Sequence, residues 1–73
     1  MKHYRYLVET FDHDFQAYDY AAPKDLEARL HCFEYFAKHP FVLSLTLFRY
    51  KSGVDSSTMI LLDKITRPLS IKF

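Results

Sequence analysis

One stretch with helical periodicity, bounded by two prolines, separates two parts of this chain that alternate like β-strands. Pro23 precedes the stretch and Pro40 follows it, which suits the first position and the end of a helix. This spacing predicts a helix over residues 23–38, with its apolar stripe facing the core and Phe36 widening that stripe. The stripe repeats at offsets 0, 4, 7 and 11 and consists of Leu26, Leu30, Phe33 and Ala37.

Alternating polar and apolar residues predict two strands on each side of this helix. Before the helix, strands are predicted over residues 3–11 and 15–21, and the link between them is short enough for a hairpin. After the helix, strands are predicted over residues 41–51 and 58–65, joined by a loop over residues 52–57.

The resulting order, ββαββ, predicts a single α+β domain over residues 1–73. A four-stranded antiparallel sheet of strand order 2-1-3-4, with the helix on one face, satisfies the usual right-handed connection. Residues 66–73 are predicted as a tail or as an extra edge strand, since Leu69, Ile71 and Phe73 alternate while Pro68 disfavours a central strand.

Composition indicates how so short a chain forms a hydrophobic core and in which cellular compartment it is expected to act. A chain of 73 residues buries a modest share of its surface, and a hydrophobic content of 49% with 18% aromatic residues compensates for this. Cys32 is the single cysteine, so no internal disulfide forms and a reducing, cytoplasmic setting is expected. There is no signal-peptide pattern and no apolar run of the roughly 18 residues that a membrane span needs, so no membrane partner is expected.

The residues with catalytic or metal-binding chemistry do not form a recognisable constellation. Asp12-His13-Asp14 offers metal ligands, but adjacent residues rarely converge on one ion, and aspartate is a common turn residue. His31 and Cys32 point roughly 100° apart on a helix, so the histidine is badly placed as a base for the thiol. We expect a non-enzymatic protein without catalytic residues, cofactor or metal.

The tyrosines of the first two strands allow two interpretations. Tyr4 and Tyr6 share one strand face, as do Tyr18 and Tyr20, and such rings stack single-stranded bases in some sheets. The formal net charge of +1 argues against nucleic acid as the partner, and packing beneath the helix is favoured. A single-stranded nucleic-acid-binding module is kept as an alternative, and its cations would be Arg49, Lys51, Lys64 and Arg67.

The sheet face away from the helix is predicted to bind a larger protein or protein complex. It shows too many apolar residues for a solvated face: Leu7, Phe48 and Tyr50, with either Met59 and Leu61 or Ile60 and Leu62. Burial under the tail, and homodimerisation through this open face or through a sheet edge, are the alternatives. The predicted contact residues are Arg5, Leu7, Glu9, Phe48 and Tyr50, with Asp12, Asp14 and Asp19 as a negative rim.

The layout of residues 4–50 resembles the small proteins that phages and other mobile elements use to inhibit host machinery. The resemblance rests on the hairpin with its acidic turn (Asp12 to Asp14), then AAPKDLEARL (residues 21–30), an aromatic-rich helix and a strand. Phage inhibitors of bacterial RNA polymerase and anti-CRISPR proteins belong to this class. The resemblance implies a compact, non-enzymatic protein that occludes a surface on a larger partner, and it transfers no individual site residue.

Overall fold

The fold is a four-stranded antiparallel sheet with one helix on one face, which confirms the predicted ββαββ layout. The computed structural model describes residues 1–51 and 59–68, so the predicted loop over 52–57 and residues 69–73 of the tail lie outside the described residues. The sheet order is β2-β1-β3-β4 and every neighbouring pair is antiparallel. The elements are β1 (Lys2–Thr10), β2 (Phe15–Ala22), α1 (Asp25–Lys38), β3 (Val42–Tyr50) and β4 (Ile60–Thr66).

A layer of large side chains on the central strands forms the core beneath α1. On β1, Tyr4, Tyr6 and Val8 are buried, as expected for the strand face that packs under the helix. Leu45 lies opposite Val8 and Leu47 lies opposite Tyr6, so β3 continues this layer. The rings of Tyr4 and Tyr6 are therefore part of the core, together with Val8, Leu45 and Leu47.

The predicted apolar stripe of α1 is wrong, because the helix turns a different face to the sheet. Leu26, Leu30 and Phe33 are 63%, 53% and 51% exposed, and Ala37 is exposed as well. The residues that face the sheet are the small Ala28 and Cys32, which are buried, and the aromatic Tyr35 and Phe36, which pack beside them. The inward position predicted for Phe36 is therefore confirmed.

The tyrosine hydroxyls explain this orientation of the helix. Tyr4 donates a hydrogen bond of 2.7 Å to Oδ1 of Asp25, and the Tyr6 hydroxyl lies 3.3 Å from Nε2 of His31. A buried hydroxyl without a partner costs free energy, and leucine or phenylalanine could not supply one. Among the described residues no buried side-chain nitrogen or oxygen lacks a partner. The helix therefore turns the polar Asp25 and His31 towards the two hydroxyls, with the small Ala28 and Cys32 between them.

Asp25 fixes the beginning of α1. Its Oδ2 accepts a hydrogen bond of 2.7 Å from Nη1 of Arg49, so one carboxylate joins β1, β3 and the helix. The predicted start at Pro23 is wrong by two residues, because Lys24 is still extended (φ −142°, ψ 161°) and bridges from β2 to the helix. The carboxylate also lies at the positive end of the helix dipole, which stabilises it further.

Arg67 holds the other end of the helix. Its Nη2 donates to the carbonyl oxygens of Phe36 at 2.8 Å and His39 at 3.2 Å, and its Nε donates to that of Val42 at 2.9 Å. The guanidinium carbon lies 4.1 Å from the centre of the Phe36 ring. A cation here satisfies carbonyl groups that the helix end leaves without partners.

A register shift near the beginning of β3 changes which residues enter the core. The β1–β3 pairing is irregular between Glu9 and Thr10, so Val42 is fully buried while Phe41 is 58% exposed. Simple alternation along the predicted strand 41–51 would place Phe41 in the core beside Leu45, but Phe41 is exposed and Leu43 is only half-buried. The bulge inserts one residue and reverses the alternation locally.

A second irregularity, between Leu47 and Phe48, decides how β4 presents its apolar residues. Leu61 lies opposite Phe48 and therefore on the face away from the helix, whereas Leu62 packs against the core. Of the two pairs that the sequence left open, Leu61 from the first lies on the face away from the helix, and Leu62 from the second lies on the core side.

We expect Asp25→Asn to lower the free energy of unfolding by about 2 kcal/mol, because a hydrogen bond to a charged group contributes about 1.5–3 kcal/mol. The hydrogen bond from Tyr4, followed by Arg49, lowers the pKa of Asp25 below its ordinary value of 3.8. Because this pKa is lower in the folded protein, the stabilisation is present above that value and is lost as the pH falls below it. Urea unfolding at several pH values should therefore show a steeper acid loss in the parent than in the variant. Equal slopes would contradict this role.

We expect Arg67→Lys to destabilise the protein by about 1–3 kcal/mol, because lysine keeps the charge but lacks the planar guanidinium that spans these carbonyl oxygens and lies over the Phe36 ring. Lys64→Ala, at an exposed position on the preceding strand β4, is the control and should change stability by less than about 0.5 kcal/mol. Thermal unfolding followed by circular dichroism measures both. Similar melting temperatures for the two variants would show that Arg67 does not hold the helix end.

Candidate functional site

The sheet face away from α1 is a continuous surface to which all four strands contribute. Within residues 1–51 and 59–68 no helix or strand lies on it. We call it the open sheet face. Leu7 is 37% exposed there and Leu61 is 59% exposed, while Phe48 and Tyr50 are half-buried among their neighbours. The face consists of His3, Arg5, Leu7, Glu9, Phe15, Ala17, Asp19, Ala21, Ser44, Thr46, Phe48, Tyr50, Leu61, Lys64 and Thr66.

Arg5 and Asp19 form an ion pair near the middle of this face. The Nε of Arg5 lies 2.8 Å from Oδ1 of Asp19, and its guanidinium carbon lies 5.2 Å from the centre of the Tyr50 ring. The hydrogen bond from Arg5 lowers the pKa of Asp19, and the same bond raises the pKa of Arg5. The two predicted contact residues therefore neutralise one another, and the face carries no unpaired charge at this point.

A shallow pocket of about 110 Å³ lies on the open sheet face, towards the β1–β2 turn. It is large enough for one aliphatic side chain. Glu9 at its edge is held in place, since its Oε1 accepts a hydrogen bond of 3.3 Å from Ser44 and its Oε2 lies 3.2 Å from Nδ1 of His13. The pocket is lined by Leu7, Glu9, Phe15, Ser44, Thr46 and Lys64.

The predicted acidic rim is not a single cluster. Asp12 and Asp14 are exposed in the turn between β1 and β2, whereas Asp19 lies further along β2, opposite Arg5. Tyr50 pairs with His3 at the far end of β1. The structure therefore brings Arg5, Asp19 and Tyr50 together and leaves the two turn aspartates at the other end of the sheet.

The backbone confirms that Asp12-His13-Asp14 forms a turn. The Thr10 N–H donates to the carbonyl oxygen of Asp14 at 3.0 Å, and the His13 N–H donates to that of Thr10 at 2.9 Å. His13 has a φ of 66°, in the left-handed region that lets a short loop reverse the chain. Among the described residues, no group of three histidine, cysteine, aspartate or glutamate side chains is placed to hold a metal ion.

The groups that base stacking would require are engaged inside the fold. Tyr4 and Tyr6 are buried, and Tyr20 stacks on His31 with 3.9 Å between ring centres. Arg49 and Arg67 bind Asp25 and backbone carbonyl groups, respectively. Only Lys51 and Lys64 of the proposed cations are exposed, so the tyrosine face does not form a basic stacking surface.

Cys32 is a core residue. Its side chain is buried beneath the helix, and burial raises the pKa of the thiol to about 12, with a further contribution from Asp63. The thiol therefore stays protonated at neutral pH and lies out of reach of a substrate.

The outer side of α1 carries the apolar residues that the sequence pattern predicted to lie in the core. Its four apolar residues form a row along the exposed side of the helix, which we call the helix seam: Leu26, Leu30, Phe33 and Ala37. A signal was present in the sequence. Asp25, Ala28, Cys32 and Tyr35 form a second stripe at helical spacing, and it offers the small and polar groups that a tyrosine layer needs.

Comparisons with protein-family models, with curated proteins and with solved structures found no match to this chain. Within residues 1–51 and 59–68, no helix is long and apolar enough to cross a membrane.

We expect His13→Gly to be more stable than His13→Ala by about 1 kcal/mol, because a Cβ atom is costly in the left-handed region. Both substitutions remove the imidazole contact with Glu9, so the difference between them isolates the backbone term. Chemical unfolding of the two variants measures it. Equal stabilities, or a more stable alanine variant, would show that the turn does not require the positive φ.

Proposed function

We propose that this chain is a small, non-enzymatic protein-binding domain that occludes a surface on a larger protein through its open sheet face. Its single cysteine is in keeping with action in the cytoplasm. The layout resemblance suggests the biological form, an inhibitor of host machinery encoded by a phage or another mobile element. The observation that carries the proposal is a four-stranded face that no described element covers and that exposes Leu7, Phe15 and Leu61.

Apolar contact on this face would remove hydration from the Arg5–Asp19 pair, but it would not separate the two charges. Because Arg5 and Asp19 already satisfy one another, a partner could cover them without leaving a charge unpaired. The rings of Phe48 and Tyr50 add aromatic surface, which is enriched at the centres of protein interfaces.

The pocket beside Leu7 provides a place for an anchor residue. Its volume of about 110 Å³ suits one aliphatic side chain of the partner, with Lys64 and Glu9 at its edge for polar contacts. Binding energy usually concentrates in a few such buried anchors. The exposed Asp12 and Asp14 lie near this end of the sheet and would favour a partner with basic residues there.

We expect Leu7→Asp and Leu61→Asp each to weaken partner binding at least tenfold, because loss of an interface anchor costs about 2 kcal/mol or more. Affinity purification from a lysate of the source organism, with the parent chain as bait, identifies proteins that both variants fail to retain. Calorimetry with the purified candidate then measures the affinities.

Phe41→Asp is the matched control, since Phe41 is an exposed apolar residue outside the open sheet face. It should bind like the parent chain. Leu61 is more exposed than Leu7, so its variant keeps the test valid if Leu7→Asp unfolds in circular dichroism. Undiminished binding by a folded Leu61→Asp variant, or the absence of any partner sensitive to either substitution, would overturn the proposal.

A further inference from the structure

The helix seam has the spacing of a coiled-coil contact line. Its residues are separated by four, three and four positions, which are the alternating steps of a heptad repeat. Three of them expose half or more of their side chains, and they point directly away from the sheet. Large apolar side chains arranged in a row on a helix usually meet another helix.

Rotation of α1 cannot bury the seam within the chain. Asp25 is bound by Tyr4 and Arg49 at one end of the helix, and the Phe36 carbonyl is bound by Arg67 at the other. A roll that turned Leu30 inward would break these contacts and leave the tyrosine hydroxyls unpaired. The seam therefore faces outward as a consequence of how the core is satisfied.

We propose that the occupant of the helix seam is a second copy of this chain, with the two α1 helices packed side by side and parallel. In such a pair, Leu30 meets Leu30 and Phe33 meets Phe33 across a two-fold axis that runs along the helices. Arg29 precedes the Leu30 position and Glu34 follows Phe33, so both flank the seam and both are exposed. Nη2 of Arg29 also donates a hydrogen bond of 3.3 Å to the Leu62 carbonyl oxygen of its own chain, and this exposed contact would have to be exchanged for one across the pair.

The flanking charges select the parallel orientation. In a parallel pair, a residue at the position of Arg29 lies beside the residue five positions later on the other helix, which is Glu34. The two-fold axis makes this opposite-charge contact twice. An antiparallel pair would instead bring Glu27 beside Glu34 of the second copy, also twice, and these like charges repel.

The sheet makes so short a contact feasible. An isolated helix of 14 residues is marginal in water, whereas α1 is already ordered on the sheet and pays no folding cost on association. The contact is smaller than the roughly 1,200–2,000 Å² of stable complexes, so a weak, concentration-dependent dimer is expected.

The dimer goes beyond the proposed function, because it would join two partner-binding faces in one particle. With the helices in the middle, the two sheets lie outermost and their open faces point in opposite directions. One dimer would then present two partner-binding faces, and linked sites gain avidity on a partner that carries repeated surfaces.

Sedimentation velocity of the purified chain tests the proposal without any other protein. The concentration should run from about 1 µM to about 1 mM, because an interface below standard size is expected to dissociate at low concentration. The mass should rise towards that of a dimer, and Leu30→Glu should keep the chain monomeric throughout. Leu61→Glu makes the same change on the open sheet face and should dimerise like the parent. Circular dichroism verifies that both variants are folded.

The charge variants test the orientation. Glu34→Arg places a second positive charge beside Arg29 and should weaken the dimer about fivefold, while the double variant Arg29→Glu/Glu34→Arg should restore it. In an antiparallel pair Glu34→Arg would instead meet Glu27 and strengthen association. A monomer at every concentration, a dimer lost only in Leu61→Glu, or a dimer strengthened by Glu34→Arg would each overturn the proposal.

Discussion

The carboxylate of Asp25, held by Tyr4 and Arg49, determines which side of α1 meets the sheet. Tyr4 is buried in the central strand and its hydroxyl needs an acceptor, which the first residue of the helix supplies. Arg49 completes the contact from β3, and Arg67 fixes the far end of the helix. With both ends held, Ala28, Cys32 and Phe36 pack on the sheet, whereas Leu26, Leu30 and Phe33 remain outside.

This arrangement leaves two apolar surfaces on opposite sides of a thin domain. The open sheet face combines exposed leucines with an ion pair between Arg5 and Asp19, whereas the helix seam has an exposed base and an exposed acid beside it. The two surfaces therefore suit different partners. Occupation of one leaves the other free, because the sheet and the helix lie between them.

The strand order and the helix limits followed closely from alternation and from the two prolines, since these patterns act locally. The helix orientation did not, because leucine and phenylalanine outrank alanine and cysteine in hydrophobicity, and the needs of the tyrosine hydroxyls emerge only once Tyr4 is placed opposite Arg49. The bulge that buries Val42 instead of Phe41 is likewise a property of strand pairing. For the candidate site, alternation placed Arg5, Leu7 and Phe48 on one face, but the Arg5–Asp19 contact required the register, and the helix seam was assigned to the core.

Thiol labelling tests most directly which side of α1 faces the sheet. At low micromolar protein concentration, Cys32 should react with a thiol reagent only after denaturant is added, because its side chain is 2% exposed. The variant Leu30→Cys in a Cys32→Ala background should react in the folded state at nearly the rate of the unfolded chain. Rapid labelling of Cys32 together with protection at position 30 would show that the helix presents the opposite side, and would contradict the account of both the core and the seam.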